Sequence, residues 1–306
     1  MSAQEFRIEC CAADERVDAL RLLHAGLSTD QQTALPSALD AARAQGDDAL
    51  AGLLVARNSR GLQGAVWVQL APGRTAVVWP PAVGGAASAD LMRAAARFLD
   101  ERRVVVAQIL VSPDAPQDPA TLAAGGFHRV VELADLALER DFFPTSAPSG
   151  DLIFVPAACE HPQRLGRLLL ETYEGTLDCP QLNGLRDESD ILAGYAAQGE
   201  FSADRWFFVQ HQSQDIGVLI LTAYAEGETW ELVYMGVVPA ARGRGFGGQI
   251  VRFALAQAAA AGAQRLVLAV DQANTPGLAM YRAAGFIPWD RRYVYARLKS
   301  GESPLA

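Results

Sequence analysis

The hydrophobic pattern is clearest in the second half of the chain, where apolar runs alternate with helix-like segments. A strand-like apolar run at residues 232–238 precedes a glycine-rich loop and a helix-like run at residues 249–261. A β-rich run at residues 265–270 then precedes a second helical segment at residues 277–284. This alternation predicts an α/β fold of the α+β type, in which loops join strand ends to helix N-termini.

The loop between the first of these strands and its helix has the composition of an anion-binding site. It contains, in order, Arg242, Gly243, Arg244, Gly245, Phe246, Gly247 and Gly248. The first N–H groups of a helix have no intrahelical partner and form the positive end of its dipole, and arginines add charge-assisted hydrogen bonds to phosphate. No Gly-Lys-Ser/Thr ends the loop and no acidic residue follows about 20 residues on, so the common nucleotide motifs do not fit. We expect a phosphorylated cofactor of another kind, the alternative being a turn that binds nothing.

The second helical segment carries its own boundary signals. Thr275 is predicted as the N-cap and Pro276 as the first helical residue. Gly285 is predicted to end the helix in the left-handed conformation, with Phe286 as its apolar contact. Tyr281 then lies inside the helix.

These positions together resemble the GCN5-related N-acetyltransferases (GNAT family) over roughly residues 151–298. The residues that carry the resemblance are Arg242, Gly245, Gly247, Asn274 and the run from Tyr281 to Gly285 and Phe286. The resemblance implies a mixed, mostly antiparallel sheet flanked by helices, with acetyl-CoA (coenzyme A) as cofactor. It also implies that the loop N–H groups hold the pyrophosphate. Backbone groups of Val237 and Val238 would hold the pantetheine arm and the thioester carbonyl, and Asn274 would bond the arm.

Two residues are candidates for catalysis. The resemblance places Tyr281 near the thioester sulfur, where a phenol with a pKa of about 10 can protonate the departing thiolate; the alternative is a core aromatic. A base is also needed, because an amine with a pKa near 10 is protonated at neutral pH. Glu231, which opens the apolar strand, is predicted to take this role, directly or through water. The alternative is a solvated strand-end charge beside Glu226 and Glu228.

Residues 170–190 are expected to face the acceptor. A glycine, a proline and an Asn-Gly pair predict a loop between helices. The polar groups expected to bind the acceptor are Tyr173, Glu174, Asp178, Asn183 and Arg186; an ordinary solvated loop is the alternative. Cys179 is a further candidate, as the nucleophile of an acyl-enzyme route, against the simpler interpretation of a partly buried loop thiol.

The first half of the chain repeats the second. Residues 72–140, shifted forward by 159 positions, align with the second half without a gap, and Pro80 falls on Pro239. At the site positions the first half has Val83 for Arg242, Ala86 for Gly245, Ser88 for Gly247, Ala115 for Asn274, Leu122 for Tyr281 and Pro72 for Glu231. We therefore predict two tandem GNAT-like domains: a degenerate, non-catalytic domain at 1–140, a linker at 141–150 and a catalytic domain at 151–306.

Composition narrows the class of protein further. Of the 306 residues 50% are hydrophobic, enough for two cores, and a formal net charge of −9 argues against nucleic acid or an anionic membrane as partner. No signal-peptide pattern or long apolar run is visible, so we expect a cytoplasmic protein. The cysteines and histidines have no metal-site spacing, so neither a metal site nor a disulfide is expected. They are Cys10, Cys11, Cys159, Cys179, His24, His128, His161 and His211.

The predicted function is an N-acetyltransferase that moves an acetyl group from acetyl-CoA to a primary amine of a small molecule or peptide by direct attack. An acyl-CoA-binding regulatory module or a pseudoenzyme is the alternative from another class. A narrower alternative is suggested by the tandem arrangement and by residues 231–237, which look like mycothiol synthase, an enzyme that acetylates a cysteinyl amine on a pseudo-disaccharide. The acceptor, the preferred acyl chain and the oligomeric state do not follow from the sequence.

Overall fold

The computed structural model describes residues 5–44, 49–116, 118–144, 150–157, 162–224 and 228–299. Its strands are β1 (Arg7–Cys10), β2 (Leu53–Asn58), β3 (Gly61–Ala71), β4 (Thr75–Trp79), β5 (Val106–Val111), β6 (His128–Glu139), β7 (Leu152–Pro156), β8 (Trp206–His211), β9 (Gln214–Tyr224), β10 (Thr229–Val237), β11 (Arg265–Asp271) and β12 (Ile287–Leu298). Its α-helices are α1 (Arg16–Gly26), α2 (Thr29–Ala44), α3 (Ser88–Glu101), α4 (Pro119–Ala124), α5 (Pro162–Tyr173), α6 (Glu188–Ala196), α7 (Phe246–Ala260) and α8 (Thr275–Ala283). The chain divides into two compact units: unit 1 is Met1–Val130 with Arg292–Ala306, and unit 2 is Val131–Arg291.

The sheet of unit 1 is covered by helices on both faces. Its strands run in the order β1-β2-β3-β4-β5-β12, and only β4 and β5 pair in parallel. Alternation along β2 sends Leu53 and Val55 to the face that packs against α1 and α2, and Leu54 and Ala56 to the face that packs against α3 and α4. Each face therefore has its own apolar core.

Unit 2 repeats this arrangement. Its strands run in the order β6-β11-β10-β9-β8-β7, and only β10 and β11 pair in parallel. Neighbouring residues of β10 face helices on opposite sides: Gly236 approaches Thr172 of α5, whereas Met235 approaches Gly247 of α7. The predicted architecture, a mixed and mostly antiparallel sheet flanked by helices in each unit, is confirmed.

The last strand of each half belongs to the other unit. The last seven residues of β6, from the first half, pair with β11 in unit 2, and the last six residues of β12, from the second half, pair with β5 in unit 1. The expected boundaries at 1–140 and 151–306 are corrected accordingly, because residues 131–140 lie in unit 2 and residues 292–299 in unit 1. Residues 145–149 of the expected linker lie outside the described residues.

The internal repeat is visible in the elements themselves. A shift of 159 positions carries β6, His128–Glu139, onto β12, Ile287–Leu298. The same shift carries α3 onto residues 247–260, which lie within α7. The two units are therefore built from the same succession of strands and helices around one parallel strand pair.

Candidate active site

Strands β10 and β11 lie side by side only at their beginning. They pair in parallel over three residue pairs, the last being Glu231 with Val267, whereas β10 stays paired with β9 up to Val237. A β-bulge between Leu232 and Tyr234 marks the point of departure. Beyond it lies a cleft of about 420 Å³, whose walls come from the α5–α6 loop, the end of β10, the glycine loop and α8.

The open edge of β10 offers backbone N–H groups to this cleft. The N–H of Val238 donates to the Ile216 carbonyl oxygen on β9 at 2.9 Å. Because bonding alternates along an antiparallel ladder, the N–H groups of Val237 and Met235 point away from β9 and toward the gap. The Val238 N–H is thus used inside the sheet, and the N–H groups that face the gap are those of Val237 and Met235. The expected binding roles of Val237 and Val238 stay predictions.

The glycine loop meets the N-terminus of α7 in a shape suited to an anion. Gly243 and Gly245 have φ angles of 76° and 77°, in the left-handed region that favours glycine. Gly245 is the N-cap, and no side chain in the described residues caps the helix, so the N–H groups of its first turn remain for a ligand. A Cβ at either glycine would meet nothing within 4 Å. The loop is an open cradle for a phosphate group.

Close packing, rather than backbone angle, requires Gly247. A Cβ at this position would lie 2.5 Å from the Met280 sulfur of α8 and 3.6 Å from the terminal carbon of Met235. A Cβ at Gly248 would lie 3.7 Å from the Arg252 guanidinium, an ordinary contact. A larger residue at 247 would therefore displace the flexible Met280 side chain, which lines the cleft.

Arg242 anchors the loop instead of pointing to a ligand. Its guanidinium donates to the carbonyl oxygens of Val237, Thr172 and Gly175 at 2.9, 2.9 and 3.1 Å. Its backbone N–H donates to the Pro239 carbonyl at 3.2 Å. Arg242 thus ties the end of α5 to the end of β10. These bonds argue against the expected role of its side chain as a phosphate ligand, which stays a prediction.

The two other side chains of the loop divide between core and solvent. Phe246 is 5% exposed and packs against the His211 ring, with the ring centroids 4.9 Å apart. Arg244 is exposed, and its guanidinium lies 4.7 Å from the centroid of the Phe246 ring. Phe246 can therefore meet a ligand only through its backbone. The Arg244 side chain is exposed and is not part of the described lining of the cleft, and its contact with a phosphate stays a prediction.

Asn274 lies at the start of α8 and lines the cleft. Its Oδ1 accepts from the Gly277 N–H at 3.1 Å, so the N-cap is Asn274 and the expectation for Thr275 is wrong. Both residue types cap helices, and asparagine is the stronger of the two. Pro276 is the second helical residue, one position later in the helix than expected. Because Oδ1 serves the cap, the side-chain NH₂ is the group that Asn274 can offer a ligand.

Tyr281 projects from α8 into the wall of the cleft. It is 7% exposed, and its ring packs edge-on against Phe286 with the centroids 5.9 Å apart. Burial, and then the negative charge of Asp178, raise the pKa of Tyr281 well above its ordinary value. The phenol is therefore protonated throughout the neutral pH range and available as a hydrogen-bond donor.

Glu231 lies where β10 and β11 still pair, and it is not among the residues that line the cleft. Its Oε2 accepts from the Tyr224 hydroxyl at 2.7 Å. Burial and then the charge of Glu231 raise the pKa of Tyr224. The role of Glu231 as base stays a prediction, and to reach an amine in the cleft it needs a relay. Glu226, one of the charges expected beside it, lies outside the described residues.

The segment after α5 is a loop, as predicted: α5 ends at Tyr173 and α6 begins at Glu188. Among the polar residues expected to bind the acceptor, only Asp178 is part of the described lining of the cleft. Its Oδ1 accepts from the Asp271 N–H at 2.7 Å. Burial raises the pKa of Asp178, and the charge of Asp271 adds to this effect.

The four other expected acceptor residues have different surroundings. The Tyr173 hydroxyl shares a 2.7 Å hydrogen bond with that of Tyr195, and Asn183 Nδ2 donates to the Tyr173 carbonyl at 3.0 Å. Arg186 lies near this tyrosine pair and acts to lower the pKa of both hydroxyls, although burial raises them. Glu174 is exposed. The structure brings Asn183 and Arg186 to the Tyr173–Tyr195 pair and leaves Glu174 exposed, and the role of these residues in binding an acceptor stays a prediction.

Two residues of the site were not predicted from the sequence. Asp271, 5% exposed, ends β11 and accepts from the Cys179 N–H at 3.3 Å. Tyr234 lines the cleft and shares a 2.7 Å hydrogen bond between its hydroxyl and that of Thr172. A carboxylate at the carboxyl end of a strand could have drawn attention to Asp271. The bulge before Tyr234 reverses the alternation of β10, so no simple pattern assigns its face.

Cys179 does not have the surroundings of a nucleophile. Burial and the charges of Asp178 and Asp271 raise the pKa of its thiol to about 12. The thiol is therefore protonated at neutral pH, which argues against the acyl-enzyme route. Cys159 and His161 lie outside the described residues. Within the described ranges, no three metal-binding side chains cluster, and no helix is long and apolar enough to span a bilayer.

This combination of a splayed strand pair, a glycine cradle and a cleft tyrosine coincides with a match to a known family. Residues 165–286 match the family model described as Acetyltransferase (GNAT) family. This segment is a GNAT domain. It lies within unit 2 and contains every residue that lines the cleft in the described chain.

Relatives of the GNAT domain are found among named enzymes. A mycothiol acetyltransferase of Corynebacterium efficiens is 25% identical over 198 residues, which are 60% of this chain and 63% of that protein. A mycothiol acetyltransferase of Corynebacterium glutamicum is 37% identical over 70 residues, which are 23% of this chain and 24% of that protein. The chain thus covers less than two thirds of the length of each relative.

Solved structures share the fold over nearly the whole chain. A GCN5-related N-acetyltransferase from Sphaerobacter thermophilus aligns with a TM-score of 0.65 at 14% identity and covers 98% of each chain. A tandem GNAT protein from the clavulanic acid biosynthesis pathway aligns with a TM-score of 0.51 at 17% identity, covering 98% of this chain and 100% of that one. At such identities the likeness shows the fold alone. The GNAT fold therefore extends beyond the GNAT domain into unit 1.

Proposed function

We propose that unit 2 transfers an acetyl group from acetyl-CoA to a primary amine of a small molecule or peptide by direct attack. The observation that carries this proposal is one cleft that joins the open N-terminus of α7, the free edge of β10 and Tyr281. The GNAT domain supports acyl-CoA as the donor.

The residues present fit coenzyme A. A pyrophosphate is an anion that suits the first-turn N–H groups of α7 and the guanidinium of Arg244. The pantetheine arm carries amides, which can bond the outward N–H groups of Met235 and Val237 as a neighbouring strand does. The Asn274 NH₂ group is a further donor. The bound thioester supplies the acyl group.

The surrounding groups suit attack by a neutral amine. As the nitrogen adds to the thioester carbonyl, N–H groups at the end of β10 offset the charge that develops on the oxygen. The Tyr281 hydroxyl is a hydrogen-bond donor for the departing sulfur. A thiol has a pKa of about 8.5, well below that of the buried phenol, so a hydrogen bond to the thiolate is favoured over complete proton transfer from Tyr281.

The test is a rate measurement with acetyl-CoA and a panel of primary amines, following release of the free thiol and identifying the acetylated product by mass spectrometry. Tyr281→Phe is expected to lower kcat about 100-fold, within the usual effect of losing a hydrogen-bond donor to a developing negative charge, while the KM for acetyl-CoA changes little. Leu122→Met, at the aligned position of unit 1, is the matched control and should keep the wild-type rate. Equal rates for Tyr281→Phe and wild type would contradict the role of this hydroxyl.

A binding module without acceptor chemistry is the second candidate function. It is favoured by the position of Glu231, which bonds Tyr224 and does not line the cleft. Under this alternative, acetyl-CoA binds but no amine in the panel accelerates thiol release above hydrolysis. The panel should include a cysteinyl amine on a pseudo-disaccharide, because the relatives bear the name mycothiol acetyltransferase.

A further inference from the structure

Asp178 is held in the cleft in a fixed orientation. Its Oδ1 accepts from the Asp271 N–H at 2.7 Å, and its own N–H donates to Thr176 Oγ1 at 3.1 Å. The first bond ties the loop after α5 to the end of β11, and the second lies within the loop. The carboxylate therefore stays in the cleft wall together with Tyr281, and the second oxygen remains for another partner.

The charge of this carboxylate is not balanced by a cation. Throughout the described chain, no arginine, lysine or histidine forms an ion pair with Asp178, and the neighbouring Asp271 is a second carboxylate. The titratable groups that feel its charge are Tyr281 on α8, Tyr234 on β10 and the adjacent Cys179. All three are uncharged at neutral pH. Apart from Asp178, the charged side chain in the described lining of the cleft is Arg242, and its guanidinium is held by backbone carbonyls. Asp178 is therefore the group of that lining that can bind a positively charged ligand.

Asp178 is better placed than Glu231 for chemistry in the cleft. Both are carboxylates of unit 2, but only Asp178 is part of the cleft wall. Its charge acts on Tyr281, whereas Glu231 bonds Tyr224 at 2.7 Å. A base must come within hydrogen-bond reach of the proton that it takes, directly or through one water, and this favours Asp178.

Resting on the proposed function, we propose that Asp178 binds the ammonium group of the acceptor and removes one of its protons before the nitrogen attacks the thioester. The acceptor is then a cationic primary amine. The ammonium gives one proton to the carboxylate and becomes a neutral amine. The nitrogen forms a bond to the acyl carbon, the carbon–sulfur bond breaks, and the sulfur leaves as thiolate. The thiolate takes up the second proton lost by nitrogen, and the Asp178 proton passes to solvent.

The elevated pKa of Asp178 supports this role. A carboxyl group in its ordinary range is a weak base for an ammonium, and burial moves Asp178 toward neutrality, where general bases are most effective. Because the charged form of Asp178 is required, kcat/KM falls as pH falls through its pKa. The acid limb of the profile should therefore lie above the ordinary range of a carboxyl group.

The test compares two probe acceptors that differ in charge. Ethanolamine is an ammonium ion at neutral pH, whereas hydroxylamine is mostly uncharged and needs no proton removed before attack. Asp178→Asn is expected to lower kcat/KM with ethanolamine about 100-fold, and to change kcat/KM with hydroxylamine by no more than about threefold. Glu171→Gln, an exposed carboxylate on α5, is the matched control and should change neither rate.

Two further measurements keep the test decisive. Calorimetry with acetyl-CoA should give the same affinity for Asp178→Asn as for wild type, which excludes a folding defect. In the wild-type protein, the acid limb should appear with ethanolamine and be absent with hydroxylamine, whatever the behaviour of the variant. If Asp178→Asn lowers kcat/KM with both probes or with neither, this inference is wrong. It is also wrong if the wild-type pH profile shows the same acid limb with both probes. Neither result would contradict the proposed function. Wild-type transfer to neither probe, with acetyl-CoA bound, would overturn the proposed function as well.

Discussion

In unit 1, β4 pairs in parallel with β5 over three residue pairs that end at Val77 with Gln108, just as β10 pairs over three residue pairs with β11 in unit 2. The gap beyond is filled differently in the two units. In unit 1 the Gln31 side chain from α2 donates to the Leu110 carbonyl of β5 at 2.8 Å. The cleft there measures about 250 Å³, against about 420 Å³ in unit 2. A side chain of the protein thus occupies part of the gap in unit 1, and the corresponding cleft in unit 2 is larger.

The loops before the two equivalent helices differ in the same sense. In unit 1, Ser88 stands at the position of Gly247, and its hydroxyl donates to the Ala82 carbonyl at 2.7 Å. The Ser88 N–H donates to the Gly85 carbonyl at 3.0 Å, so the loop takes up one N–H group of the first turn of α3. In unit 2 the left-handed N-cap Gly245 leaves the first turn of α7 open. Hydrogen bonds within the loop replace those that an anion supplies.

This difference separates the requirements of the fold from those of the site. Both units keep the splayed strand pair and the helix that follows it, and both bury a phenylalanine after the last helix, Phe127 and Phe286. Only unit 2 keeps the open loop, Asn274 and Tyr281. The prediction that unit 1 is non-catalytic therefore has a physical basis, and it can be tested by paired substitutions at aligned positions.

The largest difference is expected for Gly245→Glu and Ala86→Glu. A glutamate at 245 must adopt a left-handed backbone, at a cost of about 1–2 kcal/mol, and it places a negative charge where the pyrophosphate is expected. Calorimetric titration with acetyl-CoA should show one site per chain in wild type, weakened about 100-fold or more by Gly245→Glu, which corresponds to about 2.8 kcal/mol.

The exposed Ala86 provides the matched position in unit 1, and Ala86→Glu should leave affinity and stoichiometry unchanged. Two sites per chain in the wild-type protein would show that unit 1 is not degenerate. A single site that Ala86→Glu abolishes would show that the cofactor binds in unit 1, against the prediction.

Local sequence patterns were sufficient to predict the strands and helices around the glycine loop of unit 2. They were not sufficient to predict which strands pair with each other. The apolar run before Arg242 and the Asn-Thr-Pro signal after β11 predicted the succession of strand, loop and helix. Residues 131–139 have the apolar–polar alternation of a strand. This pattern shows which face of the strand is buried but not which strand it pairs with, so it fits either unit. The exchange of the final strands was therefore not predictable from the repeat alone.

The site shows the same limit at the level of side chains. Gly243 and Gly245 were predictable, because a left-handed backbone has a strong preference for glycine. The partners of Arg242 are carbonyls at Val237, Thr172 and Gly175, which only the packing of α5 against β10 brings together. From the sequence, an arginine in a glycine loop is equally consistent with binding a phosphate and with bonding backbone carbonyls. The sequence does not distinguish these two roles.

A smaller difference is expected for Arg242→Ala and Val83→Ala. Arg242→Ala removes three bonds from a charged donor to backbone carbonyls, and at this exposed position we expect a loss of about 2 kcal/mol in the free energy of unfolding. In a thermal melt the midpoint should fall by about 4–8 °C. Val83 is 50% exposed, and Val83→Ala should change stability by no more than about 0.5 kcal/mol. An unchanged melt with strongly weakened acetyl-CoA binding would restore the phosphate-ligand role of Arg242.

The smallest effect is expected for Gln31→Glu. The Oε1 of Gln31 accepts from the Ser28 N–H at 3.1 Å, and a glutamate keeps this bond at the start of α2. It removes the NH₂ donor to Leu110, so we expect a loss of about 1 kcal/mol, measured by chemical unfolding.

The same variant decides how unit 1 is kept closed. Gln31 could simply fill a gap that has already lost its function. In that case Gln31→Glu should still bind one acetyl-CoA per chain, because unit 1 also differs from unit 2 in the Ser88 loop and in the apolar Leu122. A second, weak site in the calorimetric titration of this variant would contradict that view. It would mean that one side chain from α2 blocks an otherwise competent cleft, and that the loop differences matter less than the filled gap.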